Sequence, residues 1–234
     1  MKSEMALQRL VLCFTGFIIT IFISACNSTD SNGAPPQRVP LAHAEDLVRA
    51  VMFEQVPDMN PTAQFPLEEI TTDEIWEQLK AQVFQIKSNS SFDGSVFLIK
   101  NERVTVLAQP LGGRLASFEV TDLDSDGQSE LVYTFSGGSG LYRSQLAIYC
   151  PNCPENGSFA GNLVYLYGDM ILDKTGEHSV MVKAGYFDLQ DHFTTEATLG
   201  ELLLTKDNGK SHLEVQLKNN LPHQITERVK LLSE

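Results

Sequence analysis

Residues 115–135, LASFEVTDLDSDGQSELVYTF, hold a short apolar run, an acidic turn and a second apolar run. The first run, Leu115 to Val120, and the second, Leu131 to Phe135, are rich in apolar, aromatic and β-branched residues, which favour strands. The Asp, Ser and Gly residues between them favour a turn. The stretch therefore predicts a strand, a loop and a strand, and the same alternation recurs on both sides of it.

Further runs of this kind fill the chain after Gly94, and they predict antiparallel strands. These strands are Val96 to Lys100, Arg103 to Leu107, Gln145 to Tyr149, Leu163 to Tyr167, Met170 to Leu172, Ser179 to Ala184, Glu201 to Thr205 and Leu213 to Leu217. Asn208-Gly209 between the last two is a hairpin signal, because both residues tolerate a positive φ. No repeat of about 40 residues recurs, which counts against a complete propeller on this chain alone.

Before Gly94 the apolar residues follow helical spacing. The pattern predicts two helices, Ala42 to Phe53 and Thr71 to Ile86, and the second opens with Thr72 as a capping residue. The expected fold is mainly β (α+β), with N-terminal helices followed by an antiparallel β-rich sandwich or propeller-like sheet. One globular domain is expected over 41–234, with a helical part at 41–90 and a β-rich part at 94–234.

The charge balance excludes one class of function. The chain has 234 residues, with 17 Lys and Arg against 30 Asp and Glu, and a formal net charge of −13. Nucleic-acid binding through counterion release requires clustered basic residues, which this sequence lacks. No nucleic-acid partner is expected.

The first 25 residues are typical of a secretory signal. Lys2 and Arg9 precede an apolar run of 16 residues, Leu10 to Ala25, which is shorter than the roughly 20 residues of a comfortable membrane span. The run ends in Ile23-Ser24-Ala25-Cys26, which resembles the bacterial lipobox. That resemblance implies signal cleavage before Cys26 and a lipid on its thiol; a plain signal peptide or an uncleaved anchor remains the alternative.

Residues 26–40 comprise that cysteine and NSTDSNGAPPQRVP, a polar stretch rich in Ser, Asn, Gly and Pro. Such a composition predicts a disordered tether, since it cannot bury enough apolar surface to fold. The expected location is the cell envelope, outside the cytoplasm and lipid-anchored to a bacterial membrane, which is the outer membrane if the envelope is Gram-negative.

The acidic turn predicts an ion site. Asp122, Asp124 and Asp126 alternate, and Gly127 permits the sharp turn with which a chain can surround a cation. Ca²⁺ takes six to eight oxygen ligands, so Gln128 would add its backbone carbonyl and Glu130 a carboxylate or a water-mediated contact. Magnesium is the weaker candidate, and a solvated acidic turn without metal is the plainer alternative.

An EF-hand does not fit, because its twelfth loop position requires Glu and here is Tyr133. The segment from Phe118 to Val132 instead resembles the calcium loop of FG-GAP or VCBS-type repeats, in which D-x-D-x-D-G-x-x-[DE]-[LI] joins two strands. This resemblance implies Ca²⁺ as cofactor. It assigns as ligands Asp122, Asp124, Asp126, Gln128 and Glu130.

Three weaker patterns accompany the loop. Cys150 and Cys153 form a CxxC, interpreted as a loop disulfide, with redox work and metal binding as alternatives. Tyr142 and Arg143 follow a glycine-rich turn and are candidate ligand contacts. Asp188, Asp191 and His192 stand close enough in the sequence to suggest acid-base chemistry, although any acidic turn would produce such a group.

The sequence thus indicates an exported, membrane-anchored lipoprotein with a calcium-stabilised binding or scaffolding domain. Its expected partners are the membrane, through the lipid anchor, and an envelope protein or glycan. The alternatives are a cell-envelope hydrolase acting on glycan or peptide and a CxxC redox lipoprotein. No catalytic residue is assigned, and the sequence favours a binding or scaffolding protein over an enzyme.

Overall fold

The structure is a computed structural model, and about half of the described residues lie in strands. The described residues are 36–55, 64–87, 94–108, 114–137, 143–151, 158–159, 164–188, 190, 192–207 and 210–231. In chain order the elements are α1 (Leu41–Gln55), β1 (Leu67–Glu69), α2 (Asp73–Leu79), β2 (Gln82–Ile86), β3 (Val96–Lys100), β4 (Arg103–Ala108), β5 (Arg114–Thr121), β6 (Glu130–Gly137), β7 (Arg143–Tyr149), β8 (Ser158–Phe159), β9 (Val164–Tyr167), β10 (Asp169–Lys174), β11 (Val180–Phe187), β12 (Phe193–Asp207), β13 (Lys210–Leu217), α3 (His223–Thr226) and β14 (Val229–Leu231).

The strands form three antiparallel sheets. The N-terminal sheet has the order β1-β2-β3-β4, and the C-terminal sheet has the order β10-β11-β12-β13. The central sheet has the order β14-β9-β7-β6-β5, with β8 paired to β7. The predicted fold class, mainly β with antiparallel sheets behind an N-terminal helix, is confirmed.

The central sheet is buried on both faces. Along β6, Leu131 and Tyr133 join an apolar core that includes residues of β2 and β3. The intervening Val132 joins a second core that includes residues of β10 to β13. Because neighbouring side chains on a strand point to opposite faces, the three sheets are layered with the central sheet in the middle.

The predicted first helix is confirmed as α1. Its buried residues Ala44, Val48 and Met52 follow helical spacing and pack with Phe84 and Phe97 on the outer face of the N-terminal sheet. No helix among the described residues has the length and apolar character needed to cross a membrane.

The predicted second helix is only half right. Thr72 caps α2 as expected, because its hydroxyl accepts a hydrogen bond from the Ile75 amide. The helix ends at Leu79, and Lys80 caps it in a left-handed conformation with φ of 51°. The rest of the predicted helix is β2, whose neighbours Val83 and Phe84 are both buried, in different cores. A strand buried on two faces gives an apolar run that helical spacing also fits.

Each of the ten predicted strands overlaps an observed one. The largest error is β12, which begins at Phe193 and not at Glu201. Its first half carries exposed Thr and Glu side chains, so no apolar run marks it. The short strands β1, β8 and β14 were not predicted, since two or three residues give no period to detect.

The chain contacts the domain before α1 begins. Buried Gln82 accepts a hydrogen bond from Val39 N at 2.6 Å and donates one to Val39 O at 3.2 Å. The Arg38 guanidinium lies 4.9 Å from the centre of the Trp76 ring and pairs with Glu69. These residues belong to the stretch predicted as a disordered tether, so its last residues are held against the N-terminal sheet.

Candidate metal site

The predicted acidic loop connects β5 to β6, in the strand-loop-strand setting that the sequence indicates. Two of its residues adopt positive φ angles, Ser125 at 58° and Gly127 at 84°. A side chain at position 127 would meet no atom within 4 Å, so glycine is favoured there by the backbone conformation and not by lack of space.

Backbone amides curl the loop around its carboxylates. Asp122 accepts hydrogen bonds from Asp126 N at 3.0 Å and from Gly127 N at 2.9 Å. Asp124 Oδ1 also accepts from Asp126 N, at 3.1 Å. Side chains at alternate positions therefore turn toward one another, as an ion-binding loop requires.

Glu130 is the buried member of the loop, with 2% of its surface exposed. Its Oε2 accepts a hydrogen bond from Leu123 N at 2.9 Å. Burial raises the pKa of this carboxyl to about 7; the Leu123 amide opposes the rise, and the nearby charges of Asp124, Asp126 and Asp122 add to it. The carboxylate form is thus poorly stabilised by the protein alone, and a cation would stabilise it.

Asp122, Asp124 and Glu130 could hold a metal ion together. One carboxylate oxygen from each lies within 4.8 Å of the other two. Ligands 2.3 to 2.6 Å from one Ca²⁺ ion are at most about 5 Å apart, so these three fit a shared cation. An all-carboxylate set suits a hard cation and not a thiolate-seeking metal.

Two of the five predicted ligands stand outside that group. Asp126 and Gln128 lie on the same loop, where Asp126 Oδ1 accepts a hydrogen bond from Gln128 N at 2.9 Å. Both residues are exposed. The structure brings together the first two aspartates and the glutamate, with the third aspartate shaping the turn.

The loop is tied to the layers on either side of it. Ser129 Oγ donates a hydrogen bond to Gln78 Oε1 of α2 at 2.7 Å. Thr121, at the end of β5, donates to the Glu177 carbonyl in the β10–β11 turn at 2.6 Å. In the same turn, His178 Nδ1 donates to the Asp122 carbonyl. The loop is therefore a junction between the central sheet, α2 and the C-terminal sheet.

A cavity of about 470 Å³ opens beside this junction. Lys174 stands at its wall, where its Nζ donates to Glu74 Oε1 at 2.7 Å and to the Val120 carbonyl at 2.6 Å. Its lining residues come from every layer and are Gln78, Leu79, Lys100, Thr121, Asp122, Gly127, Gln128, Ser129, Pro151, Lys174 and Glu177.

Gly137 and the backbone of Arg143 lie at the opposite end of β6 from the acidic loop. The acidic loop enters β6 at Glu130, whereas the glycine-rich turn leaves it at Gly137, which pairs with Arg143. A strand of eight residues separates them by roughly 23 Å at 3.3 Å per residue. Residues close in sequence lie at opposite ends here because a strand is extended. Tyr142 and the side chain of Arg143 lie outside the described residues.

The predicted signal, lipidation site and disulfide fall wholly or partly outside the described residues. Cys26 and the predicted signal lie outside the described residues, as does Cys153. Cys150 is buried after β7, and its disulfide stays a prediction.

Asp188 and His192 are neighbours in the β11–β12 turn, but Asp191 lies outside the described residues. Asp188 Oδ1 accepts hydrogen bonds from Gln190 N and His192 N, at 2.8 and 2.9 Å. These bonds, with the backbone bond of His192 the largest cause, lower the pKa of Asp188. Both side chains are exposed, and their geometry is that of a turn-forming aspartate.

Sequence reasoning missed the residues that join the loop to its surroundings, namely Gln78, Lys174 and Glu177. Their contacts span 51, 54 and 56 positions of the chain, and no local pattern marks such pairs. Comparison of the chain with protein-family models, with curated proteins and with solved structures finds no match.

Proposed function

We propose that this chain is an exported, membrane-anchored lipoprotein whose β-rich domain binds or scaffolds an envelope partner, and that Ca²⁺ in the 122–130 loop stabilises that domain. The observation that carries the proposal is the position of the three-carboxylate cluster. It lies in a loop hydrogen-bonded both to α2 and to the β10–β11 turn. An ion there would act on the assembly of the layers.

The choice of Ca²⁺ rests on the ligands and on the expected location. Three carboxylates on a curled loop provide hard oxygen ligands without a rigid octahedral cage, which suits Ca²⁺ better than Mg²⁺. Outside the cytoplasm a site with a dissociation constant of about 10⁻⁴ to 10⁻³ M would be filled. The membrane anchor rests on the lipobox-like Ile23-Ser24-Ala25-Cys26.

The role of the ion is structural. Asp122, Asp124 and Glu130 would hold it, and it would supply the positive charge that these clustered carboxylates need. The loop would then keep Ser129 against Gln78 and Thr121 against the β10–β11 turn. Ordered in this way, the junction gives a partner a fixed surface.

Thermal unfolding tests the proposal. The full chain, purified in a non-ionic detergent, is unfolded in chelator and across a calcium titration, with magnesium in parallel. Calcium at 100 times its dissociation constant should add about 2.7 kcal/mol and raise the midpoint. Asp124→Asn should abolish this rise, because it removes the charge of a central ligand.

Asp188→Asn is the matched control. It also changes a turn aspartate that accepts backbone hydrogen bonds, but Asp188 lies outside the three-carboxylate cluster. The control should keep the full calcium response. Equal responses to calcium and magnesium, or a response that survives Asp124→Asn, would contradict the proposal.

A further inference from the structure

The cavity beside the loop is built from all three sheets. Leu79 ends α2, Lys100 ends β3, and Lys174 ends β10, while Asp122 and Gln128 come from the loop itself. Its volume of about 470 Å³ is within the usual range of small-molecule sites, about 300–1,000 Å³. The cavity exists only where the layers meet, so its shape depends on the same junction as the loop.

One wall of the cavity carries a cation without a carboxylate partner. Lys174 and Lys183, which are half-buried like Lys100, pair with Glu74 and Asp173 respectively. Within the described part of the chain Lys100 forms no ion pair. In a protein with 30 acidic and 17 basic side chains, a half-buried lysine left unpaired in a cavity is available to an anionic group of a ligand.

A negative charge lies on the β10–β11 turn. The Glu177 side chain is exposed at the cavity. The Thr121 hydroxyl holds the backbone of Glu177 by donating a hydrogen bond to the Glu177 carbonyl. Among the described residues its carboxylate also has no ion pair. The amide side chain of Gln128 is exposed on the loop and can both donate and accept hydrogen bonds.

These groups fit a peptide better than a sugar. A cation, a carboxylate and an amide together complement a ligand that carries both charges and peptide groups. None of the lining residues that the structure describes is aromatic, so this part of the cavity wall offers no ring face on which a sugar could stack.

We propose that this cavity binds a short peptide, with its free C-terminal carboxylate on Lys100 and its amino group toward Glu177. The inference deepens the proposed function, on which it rests, by naming the ligand class of the binding domain. Gln128 then contacts the peptide backbone from the loop, so an ordered loop favours binding.

The test uses trialanine and its C-terminally amidated form as probes. Amide chemical shifts of the full ¹⁵N-labelled chain are recorded in 1 mM calcium, where millimolar affinities are measurable. Trialanine should shift the signals of Lys100, Gln128 and Glu177. Amidation should weaken binding about tenfold, because a charge-assisted hydrogen bond is lost.

Lys100→Gln gives the decisive comparison. It should weaken trialanine about tenfold and leave the weaker binding of amidated trialanine unchanged, because the lost charge pair is already absent. Lys87→Gln is the matched control, since Lys87 pairs with Glu68 at the far end of β2 and outside the cavity. It should change neither affinity.

The outcomes separate this proposal from the ion site. Absence of trialanine shifts, or an equal effect of Lys100→Gln on both peptides, overturns the peptide site, whereas the calcium response is read independently from unfolding of the same variant. Tighter binding of maltotriose than of trialanine would assign the cavity to a neutral glycan and also overturns it. Peptide binding without any calcium response would uphold the cavity and reject the ion.

Discussion

Carboxylates lie at both ends of β6, in contrasting surroundings. At the Glu130 end, three carboxylates lie close together, and burial and mutual repulsion raise the pKa of the buried one. At the Gly137 end, the buried Asp169 is satisfied by neutral donors. Its Oδ1 accepts a hydrogen bond from Ser136 Oγ at 3.0 Å, and its Oδ2 accepts one from Phe187 N at 3.2 Å.

Both ends attach the C-terminal sheet to the central one. Near Asp169, hydroxyl groups of the central sheet satisfy the outer edge of β10: Thr134 donates to the Met170 carbonyl, Ser144 to the Gly168 carbonyl, and Ser117 accepts from Leu172 N. An edge strand is thereby covered without any ion. The Asp169 end is satisfied by hydrogen bonds alone, whereas the Glu130 end gathers three carboxylates that together could hold a cation.

Asp169→Ala should have the largest effect on stability. It removes the buried carboxylate that accepts hydrogen bonds from the Ser136 hydroxyl and from the partly buried Phe187 amide, at a cost of about 2–3 kcal/mol. Urea unfolding should show the same loss in calcium and in chelator, because this end of β6 does not depend on the ion.

Asp173→Ala is the control for that substitution. Asp173 lies on the same strand but forms a surface pair with Lys183, and such pairs contribute about 0–1 kcal/mol. A loss at Asp169 that appears only in chelator would show that the two ends are not independent.

Glu130→Gln should distinguish the destabilisation caused by the buried charge of Glu130 from the stabilisation that calcium provides. At pH 8 in chelator the variant should be more stable by about 1–2 kcal/mol, because it removes a buried charge whose pKa is raised to about 7. Its amide oxygen can still accept from Leu123 N, and its NH₂ group can donate to neighbouring carboxylates. The stabilisation by calcium should be lost.

The matched control is Glu119→Gln on β5. Burial, followed by the charge of Glu74, raises the pKa of Glu119 too, yet it is outside the three-carboxylate cluster. It should keep the calcium response in thermal unfolding. If Glu130→Gln instead lowers the unfolding midpoint in chelator, the buried charge of Glu130 does not destabilise the protein in the absence of calcium.

The sequence predicts the features at one end of β6 and not those at the other. The strands on both sides of the loop are local patterns, and so are the clustered carboxylates of Asp122, Asp124 and Glu130, because alternating carboxylates before a glycine can be recognised within nine residues. The buried Asp169 gave no such signal. Its partners Ser136 and Phe187 are 33 and 18 positions away, and only the packing of the sheets brings them together.

The errors have the same origin. Nothing local shows that Lys80 adopts a left-handed conformation and ends α2, so the apolar run that follows fits a helix as well as β2. Likewise, the cavity combines Lys100 of β3 with Glu177 of the β10–β11 turn. Tertiary packing decides such features, and a one-dimensional pattern does not contain it.

Two threonines give the smallest test of the difference between the ends of β6, because each donates a hydrogen bond from the central sheet to the C-terminal sheet or its turn. Thr121 donates to the Glu177 carbonyl at the acidic end, and Thr134 donates to the Met170 carbonyl away from it. Each Thr→Val change should destabilise the protein by about 1 kcal/mol, the usual net contribution of a hydrogen bond.

Their effects on calcium should differ. Thr121→Val loosens the turn that holds the Asp122 backbone, so calcium affinity from a titration of the unfolding midpoint should fall several-fold. Thr134→Val should leave that affinity unchanged, because its bond lies among the neutral contacts of β10. Equal losses of affinity in the two variants would mean that the ion senses the whole interface between the sheets, and the distinction between the ends of β6 would then fail.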